Sequence, residues 1–508
     1  MIKSALLWSR TGKSRGGGLI SVAALLGAIP LSLLIGVWGG VAGWLGLIVL
    51  LALVIPVAAL LVDYRLGLIL CILILPYTNA PLLKGMGLFT VTNLLLLGTF
   101  LVILAHWVLS RLTRRDYRIV MPRFLFLLYL LPIFVGMLIG TRYIDQIPAH
   151  YIAQTGYDDW NARSYWVSYW LKGMLLVLFA VALASAVVEH KRGEIFIRTA
   201  IASSVLFAVL VFVIVISSGQ SLGSLQSDRT FLFMTGRHNT EAGFILACSV
   251  TILLFVREYI LSPMAKLVIL AVIAFLLAAM LLTFTRGAVL AMIAVMLYYV
   301  WHFKRPMVIV SAVVIVVLAA LAMPDAVRDR MLLGLSAEAT SRVDGAGGTS
   351  DPLTMGRTWV WLQLAEEIPK APILGKGVLS TQWSDLVKRG EFLAAHTHNM
   401  YLAVIMDLGF VGLLAMTLFF YKIWRIFDHL TVSKTLTPLE KGFFAGAKGL
   451  LIAVLAWGVG NGQYFPLPEQ ILVWIAIGLG IGYHELTTQG ASDSSGDNDM
   501  AALKHPQS

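Results

Sequence analysis

The sequence predicts an all-α polytopic membrane protein, a bundle of about 14 (12–14) transmembrane helices with one long outer loop at 324–397. Three observations predict it. Hydrophobic residues make up 59% of the 508 residues and charged ones only 13%, against roughly half and a quarter in a soluble domain, so most of the chain is dissolved in lipid. The chain is a succession of apolar runs of about 20 residues, the length that crosses a bilayer as a helix. Lys and Arg also collect in alternate connections, the signature of loops held on the inner side of a membrane.

In order, the chain opens on MIKSALLWSRTGKSRGGG, a basic stretch before an apolar run. No small-residue cleavage site follows, so this run reads as a retained helix rather than a signal peptide. Its TGKS at 11–14 is not a phosphate loop, because Leu7 stands where that motif needs glycine. The candidate spans are 18–38, 41–62, 66–83, 86–110, 122–140, 165–188, 195–217, 240–260, 264–283, 286–302, 306–323, 398–421, 442–461 and 467–486. Pro76 interrupts the third, which is short enough to be re-entrant. With the N-terminus inside, the inner segments hold about 21 of the 38 basic residues and the short outer loops about 6. The net charge of +11 therefore reads as basic cytoplasmic loops, and no nucleic-acid partner is expected. Cys71 and Cys248 fall in apolar runs and offer neither metal spacing nor a disulfide framework.

Three outer segments follow from this topology: 141–164, rich in Tyr and Trp; 218–239; and the long one. The centre of the long segment is Gly/Ser/Thr/Asp-rich and reads as flexible loop. Then GRTWVWLQLAEEIPKAPILGKG predicts an amphipathic helix ended by Pro369 and Pro372, with a Gly-Lys-Gly turn after it. Its Trp359, Trp361 and Leu364 would lie on the membrane surface or cap the bundle. The organisation read from this is N-terminal membrane helices over 1–217, a catalytic membrane region over 218–486, and a polar cytoplasmic tail, 487–508, expected to be disordered.

Arginines on the outer side run against the inner-side bias, which makes them informative. There are four: Arg229, Arg237, Arg286 and Arg357. A guanidinium is always charged and presents a donor fork that matches phosphate, so the group suits an anionic, lipid-linked ligand. Snorkelling to headgroups, or pairing with Asp228, Glu241 or Asp351, is the plainer alternative for each. For Arg286 that alternative is weaker, because the span break at TFTRGA has no other evident use. The stretch HTHNMYLAVIMDLGFVG begins where the long loop meets an apolar span. A neutral His398 there could take a proton from an incoming hydroxyl, although residue type alone favours a bond to a headgroup or loop carbonyl. His396 and His398 would not share a helix face, and no third ligand suggests zinc. Asp407 would sit about 14 Å below His398 on a regular helix, where an ionisable group needs a reason. Lys448 in the next span is a candidate partner for it.

These residues carry a resemblance to the O-antigen ligase/polymerase family of bacterial envelope glycan enzymes. His398-Asn399, nine residues, Gly409, two residues, Gly412 fits the family's His-Asn, spacer, Gly-x-x-Gly pattern, with Asp407 at its acidic place. TFTRGA around Arg286 resembles the family's Ser/Thr-Arg-Gly segment. The run from Arg229 through Arg237 to Asn239 resembles its Arg…Asn-x-x-Ala segment. GRTWVW…PILGKG, with Arg357, Trp361, Gly375 and Gly377, resembles the stretch before the His-Asn motif.

The resemblance implies metal-independent, cofactor-free, inverting glycan transfer at the periplasmic face of the bacterial inner membrane. The donor would be a glycan on undecaprenyl diphosphate. The acceptor would be a sugar hydroxyl of lipid A–core in a ligase, or of another lipid-linked glycan in a polymerase. His398 and Arg286 would be catalytic. Arg229, Arg237, Asn239, Arg357 and Asn399 would bind substrate, and Asp407, Gly409 and Gly412 would be structural. Membrane lipids and other envelope glycan assembly proteins are the expected partners. A lipid-linked glycan flippase and a protein O-oligosaccharyltransferase are the alternatives. A transporter would favour inverted repeats and charges at the midplane, whereas here the arginines crowd one face. A purely structural scaffold would need neither His398 nor the arginines.

Overall fold

A computed structural model describes residues 63–77, 91–112, 118–155, 161–220, 235, 238–304, 357–390, 397–460 and 464–502. They are helical almost throughout and contain no strand. The principal helices are α1 (Tyr64–Ile74), α2 (Val91–Leu112), α3 (Arg123–Thr141), α4 (Ala162–His190), α5 (Glu194–Ser217) and α6 (Asn239–Tyr259). After them come α7 (Pro263–Leu281), α8 (Arg286–Phe303), α9 (Arg357–Ala365), α10 (Met400–Val432), α11 (Pro438–Gly458) and α12 (Ile471–Ala502).

Among the described residues, nine helices are long and apolar enough to cross a membrane. Three of the expected spans, 18–38, 41–62 and 306–323, lie outside those residues. The expected span at 66–83 is a shorter helix that tightens into a 3-10 turn at Pro76, where proline removes a helical donor. The run at 442–461 forms α11, 21 residues long but carrying Glu440, Lys441 and Lys448. The described helices otherwise start and stop close to where apolarity predicts. The exceptions are α10, which extends to Val432, well past the apolar run at 398–421, and α12, which continues helical to Ala502, past the run ending at 486 and into the 487–508 tail expected to be disordered.

The chain divides into two compact units, residues 1–70 with 95–117, and residues 71–94 with 118–508. In the first, Tyr64 meets His106 edge-on at 5.7 Å and Arg65 Nε donates to Asp63 at 2.7 Å. In the second, α6 is the central helix, with residues 242–253 buried without interruption and α5, α7, α8 and α11 packed around it. Its closest neighbour is α11, because glycines face it. A Cβ on Gly442 would stand 2.7 Å from Val256 Cα, and one on Gly446 2.9 Å from Ile252 Cα. Lipid supplies no hydrophobic push between helices, so such close backbone packing is what holds them. α4 and α12 form a second tight pair, and α10 links the two groups by packing on α3, α11 and α12.

The helix ends sort into two faces of this unit. At one, Arg118 pairs with Glu485 at 3.0 Å, the Gly193 N–H donates to Tyr483 Oη at 2.9 Å, and Tyr299 Oη donates to Glu258 Oε1 at 2.6 Å. At the other, the 366–390 segment covers the end of α3 and the start of α4. There Tyr165 Oη donates to Val378 O at 2.9 Å, and His150 Nε2 lies 3.1 Å from Val387 O. The candidate site is built at this second face.

Candidate functional site

The site is organised by a break in α10. This 33-residue helix loses helical geometry at Gly409, where φ is 67° and ψ −169°, a region open essentially to glycine alone. The break strips neighbouring carbonyls and N–H groups of their helical partners, which in lipid costs several kcal/mol per group. The PILGKG segment supplies the replacements. Lys376 N donates to Met406 O at 2.8 Å and Gly377 N to Asp407 O at 3.0 Å. In return, Phe410 N donates to Pro372 O at 2.8 Å and Val411 N to Ile373 O at 3.2 Å. The fit leaves no room for side chains: a Cβ on Gly409 would be 2.2 Å from Ile373 O, and one on Gly375 2.4 Å from Asp407 C. A Cβ on Gly412 would meet Leu408 Cβ at 2.1 Å. The Gly-Lys-Gly turn and the Gly-x-x-Gly motif are thus two halves of one joint.

Asp407 closes that joint. Its side chain is buried, and Oδ1 accepts from Ser380 N at 2.9 Å and Ser380 Oγ at 2.6 Å. Oδ2 accepts from Leu379 N at 3.1 Å and Tyr464 Oη at 2.8 Å. Lys448, the partner expected from sequence, instead donates to Asp428 Oδ1 at 2.9 Å and lies over the Trp424 ring. The correction has a geometric reason. Lys448 is the middle residue of α11, where its Nζ meets Asp428, whereas Leu379, Ser380 and Tyr464 already occupy both oxygens of Asp407. Two tyrosines extend the Asp407 network: Tyr129 Oη donates to Tyr464 O at 2.8 Å, and Tyr165 holds Val378 as above. Tyr129 lies within a π turn, Phe126–Leu130, and Tyr165 directly precedes another, Trp166–Leu171. Such turns re-aim the residues around them and are frequent at functional sites.

His398 stands at the other end of the same half-helix, half-buried, with a left-handed backbone (φ 54°). The turn is fixed from both sides. Thr397 Oγ1 donates to Asn399 O at 2.7 Å and accepts from Asn399 N at 3.1 Å. Trp361 Nε1, from α9, donates to Thr397 O at 3.0 Å. Asn399, expected to bind substrate, has its Oδ1 committed as the N-cap of α10, accepting from Tyr401 N at 3.0 Å and Leu402 N at 3.1 Å. α9 caps the bundle, as its amphipathic pattern allows: Leu364 joins Leu386, Leu402 and Met406 in one apolar cluster, with Trp359 and Trp361 against it. His396 lies outside the described residues.

Arg286 and Asn239 are the first residues of α8 and α6. The TFT turn before Arg286 joins them: Thr285 Oγ1 donates to Asn239 O at 2.9 Å, and Thr283 Oγ1 lies 3.1 Å from Thr285 Oγ1. Phe284 between them takes a left-handed φ of 51°. The end of α11 connects this pair to the His398 turn. Trp457 stacks on Phe244 at 4.2 Å, Tyr401 Oη donates to Leu455 O at 2.8 Å, and Met400 packs on Gly458. Three helix N-termini, those of α6, α8 and α10, therefore gather round the C-terminal end of α11. Helix N-termini carry partial positive charge and favour anions. Among the described residues, Asn239 Oδ1 and Trp457 Nε1 are buried there without a hydrogen-bond partner. Arg357 opens α9, and Arg229 and Arg237 lie outside the described residues.

Several residues that matter here were not singled out from sequence: Ser380, Leu379, Tyr464, Tyr129, Tyr165 and Glu367. Glu367 is buried and accepts from Lys370 Nζ at 2.8 Å, from Lys376 Nζ and from Asp385 N at 3.0 Å. Burial pushes its carboxyl up, but the hydrogen bonds from the two lysines and the Asp385 N–H outweigh this and hold it below its ordinary value. The hydrogen bond from Lys370 likewise lowers Asp385. Only the alternation of charges in EEIPKAPILGK hinted at this knot.

Comparison with known proteins bears on the same stretch. Residues 271–417 match the model of the O-antigen ligase (Wzy_C) family, a span that contains Arg286, the Asp407 joint and the His398 turn. No curated protein matches the chain. A role in membrane glycan transfer is thereby supported at the level of the family. Residues 271–417 thus match an O-antigen ligase domain, a match consistent with the O-antigen ligase/polymerase family.

Proposed function

We propose that this protein transfers a glycan from undecaprenyl diphosphate to an acceptor sugar hydroxyl at the periplasmic face of the inner membrane, as an O-antigen ligase or polysaccharide polymerase. The observation that carries the reading is the meeting of a histidine turn and an arginine-led helix start around one helix end, inside the matched domain. His398 accepts the proton of the acceptor hydroxyl as its oxygen attacks the anomeric carbon. The bond from that carbon to the diphosphate breaks, its electron pair leaves with undecaprenyl diphosphate, and the configuration inverts. Arg286, helped by Arg229, Arg237 and Arg357, neutralises the leaving diphosphate, and the N-termini of α6 and α8 add to that field. Asn239 Oδ1 is available to a substrate hydroxyl. A diphosphate leaves readily once its charge is compensated, so arginines do the work here without a metal.

Charge at the helix ends supports this orientation. The face opposite the site carries Arg118, Lys191, Arg192, Arg257, Lys266, Lys304, Lys434 and Lys441 at helix ends, which the inner-side bias assigns to the cytoplasm. This one-sided arrangement favours an enzyme over a flippase, which needs a route through the midplane.

The test is complementation of a deletion strain. Loss of glycan on lipid A–core in the deletion identifies a ligase, and loss of chain length alone a polymerase. A His398→Ala chain, expressed at the normal level, is expected to lower transfer by at least about 100-fold, the lower end of what a general base contributes. Restoration of normal envelope glycan by that variant overturns the role of His398.

A further inference from the structure

We propose that Asp407 is a positioning residue, which fixes where His398 stands by clamping the 372–383 loop to the half-helix 400–408. This rests on the reading of His398 above. Asp407 and His398 lie at opposite ends of that half-helix, about 14 Å apart, and the preceding loop grips it at both ends. At the lower end, three of the four donors to Asp407 come from Leu379 and Ser380, and only Tyr464 comes from elsewhere. At the upper end, Trp361 holds Thr397. Between the two grips, Glu367 ties α9 to the loop through Lys370, Lys376 and Asp385 N, and α9 packs along Leu402 and Met406. The route from Asp407 to the histidine is thus a continuous set of contacts. It ends on a residue whose left-handed backbone persists only if its surroundings hold it. Leu379, under the clamp, is held in the same way at φ 67°.

The chemistry of the clamp separates this role from simple helix fastening. Two of the four donors are backbone N–H groups, one on each carboxylate oxygen, and these can only donate. An asparagine at 407 fits the space but must turn its NH2 toward either Leu379 N–H or Ser380 N–H, so it breaks the loop's hold whichever way it rotates. Tyr464→Phe removes one donor from Asp407 and leaves the loop's three in place. If Asp407 only fastened helices, the tyrosine change would be as damaging as the asparagine change.

The experiment compares Asp407→Asn, Tyr464→Phe and Ser380→Ala in full-length protein in lipid nanodiscs. Backbone hydrogen exchange reads 372–383 and 397–402, and initial rates of glycan transfer read KM and kcat. Asp407→Asn is expected to speed exchange in both segments and to lower kcat by on the order of 100-fold, as a misplaced base does, with KM within about twofold. Ser380→Ala should move both readouts the same way by less, which keeps the test decisive if the asparagine chain fails to fold. Tyr464→Phe should leave both near the parent. The proposal is overturned if exchange at 397–402 is unchanged in Asp407→Asn and Ser380→Ala, or if Tyr464→Phe matches them. Full transfer by His398→Ala would instead sink the reading of the reaction, while the exchange data would still decide whether Asp407 holds the turn.

Discussion

Gln382 shows what single residues reveal about this site. It is fully buried, yet neither its Oε1 nor its Nε2 has a partner among the described residues, and it sits in the turn that Asp407 clamps. A buried polar group without a hydrogen bond costs about 1–3 kcal/mol, while an apolar side chain of the same shape is neutral or better. Gln382→Leu is therefore expected to raise stability by about 1–3 kcal/mol, read as a higher unfolding temperature in detergent. A lower one would show that the amide is satisfied in the membrane. Residues of this kind are hidden from sequence. The His398–Gly412 spacing can be read along one helix, so that stretch stood out at once. Ser380 and Tyr464 meet Asp407 from 27 and 57 residues away, and nothing in STQW or QYFP marks them. Asp407 was legible as an anomaly, an acid in an apolar run, but its partners were not: the lysine expected to pair with it belongs to Asp428.

The elements were legible to the extent that apolar length defines them. Helices such as α5, α6 and α8 begin and end within a few residues of the runs that predict them, because lipid allows little else. The departures occur where tertiary partners override the pattern. The π turns of α3 and α4 and the break in α10 leave no trace in apolar periodicity, since each is stabilised by contacts from distant segments. The glycines were the one visible sign. Gly409 and Gly412 fit a family spacing, and the structure supplies the physical reason, a loop seated in a broken helix. Gly409→Ala forces a Cβ into a glycine-only backbone region and against Ile373 O. We expect it to cost about 3 kcal/mol or more, seen as a loss of monodisperse protein in size-exclusion chromatography at normal synthesis. Behaviour like the parent's would mean that the 372–377 segment does not occupy the break.

For the whole molecule, the decisive quantity is which face looks outward, because it determines what can reach His398. The site face and the basic face lie at opposite ends of the same helices, so one measurement fixes both. Both cysteines, Cys71 and Cys248, are buried, which gives the parent chain a low background toward a membrane-impermeant maleimide. Lys388 is exposed at the site face and Lys434 at the opposite one, and neither belongs to the machinery assigned to transfer. In intact spheroplasts, Lys388→Cys is expected to label fully and Lys434→Cys only after permeabilisation. The reverse pattern would put His398 and Arg286 in the cytoplasm, where the inner-side bias of about 21 basic residues could not be reconciled with the fold. Labelling of both from outside would mean that residues 389–433 do not cross the membrane in the way α10 requires. Only the first outcome leaves a diphosphate-linked glycan approaching the histidine turn from the periplasm, with the arginines opposing the charge bias of their own side.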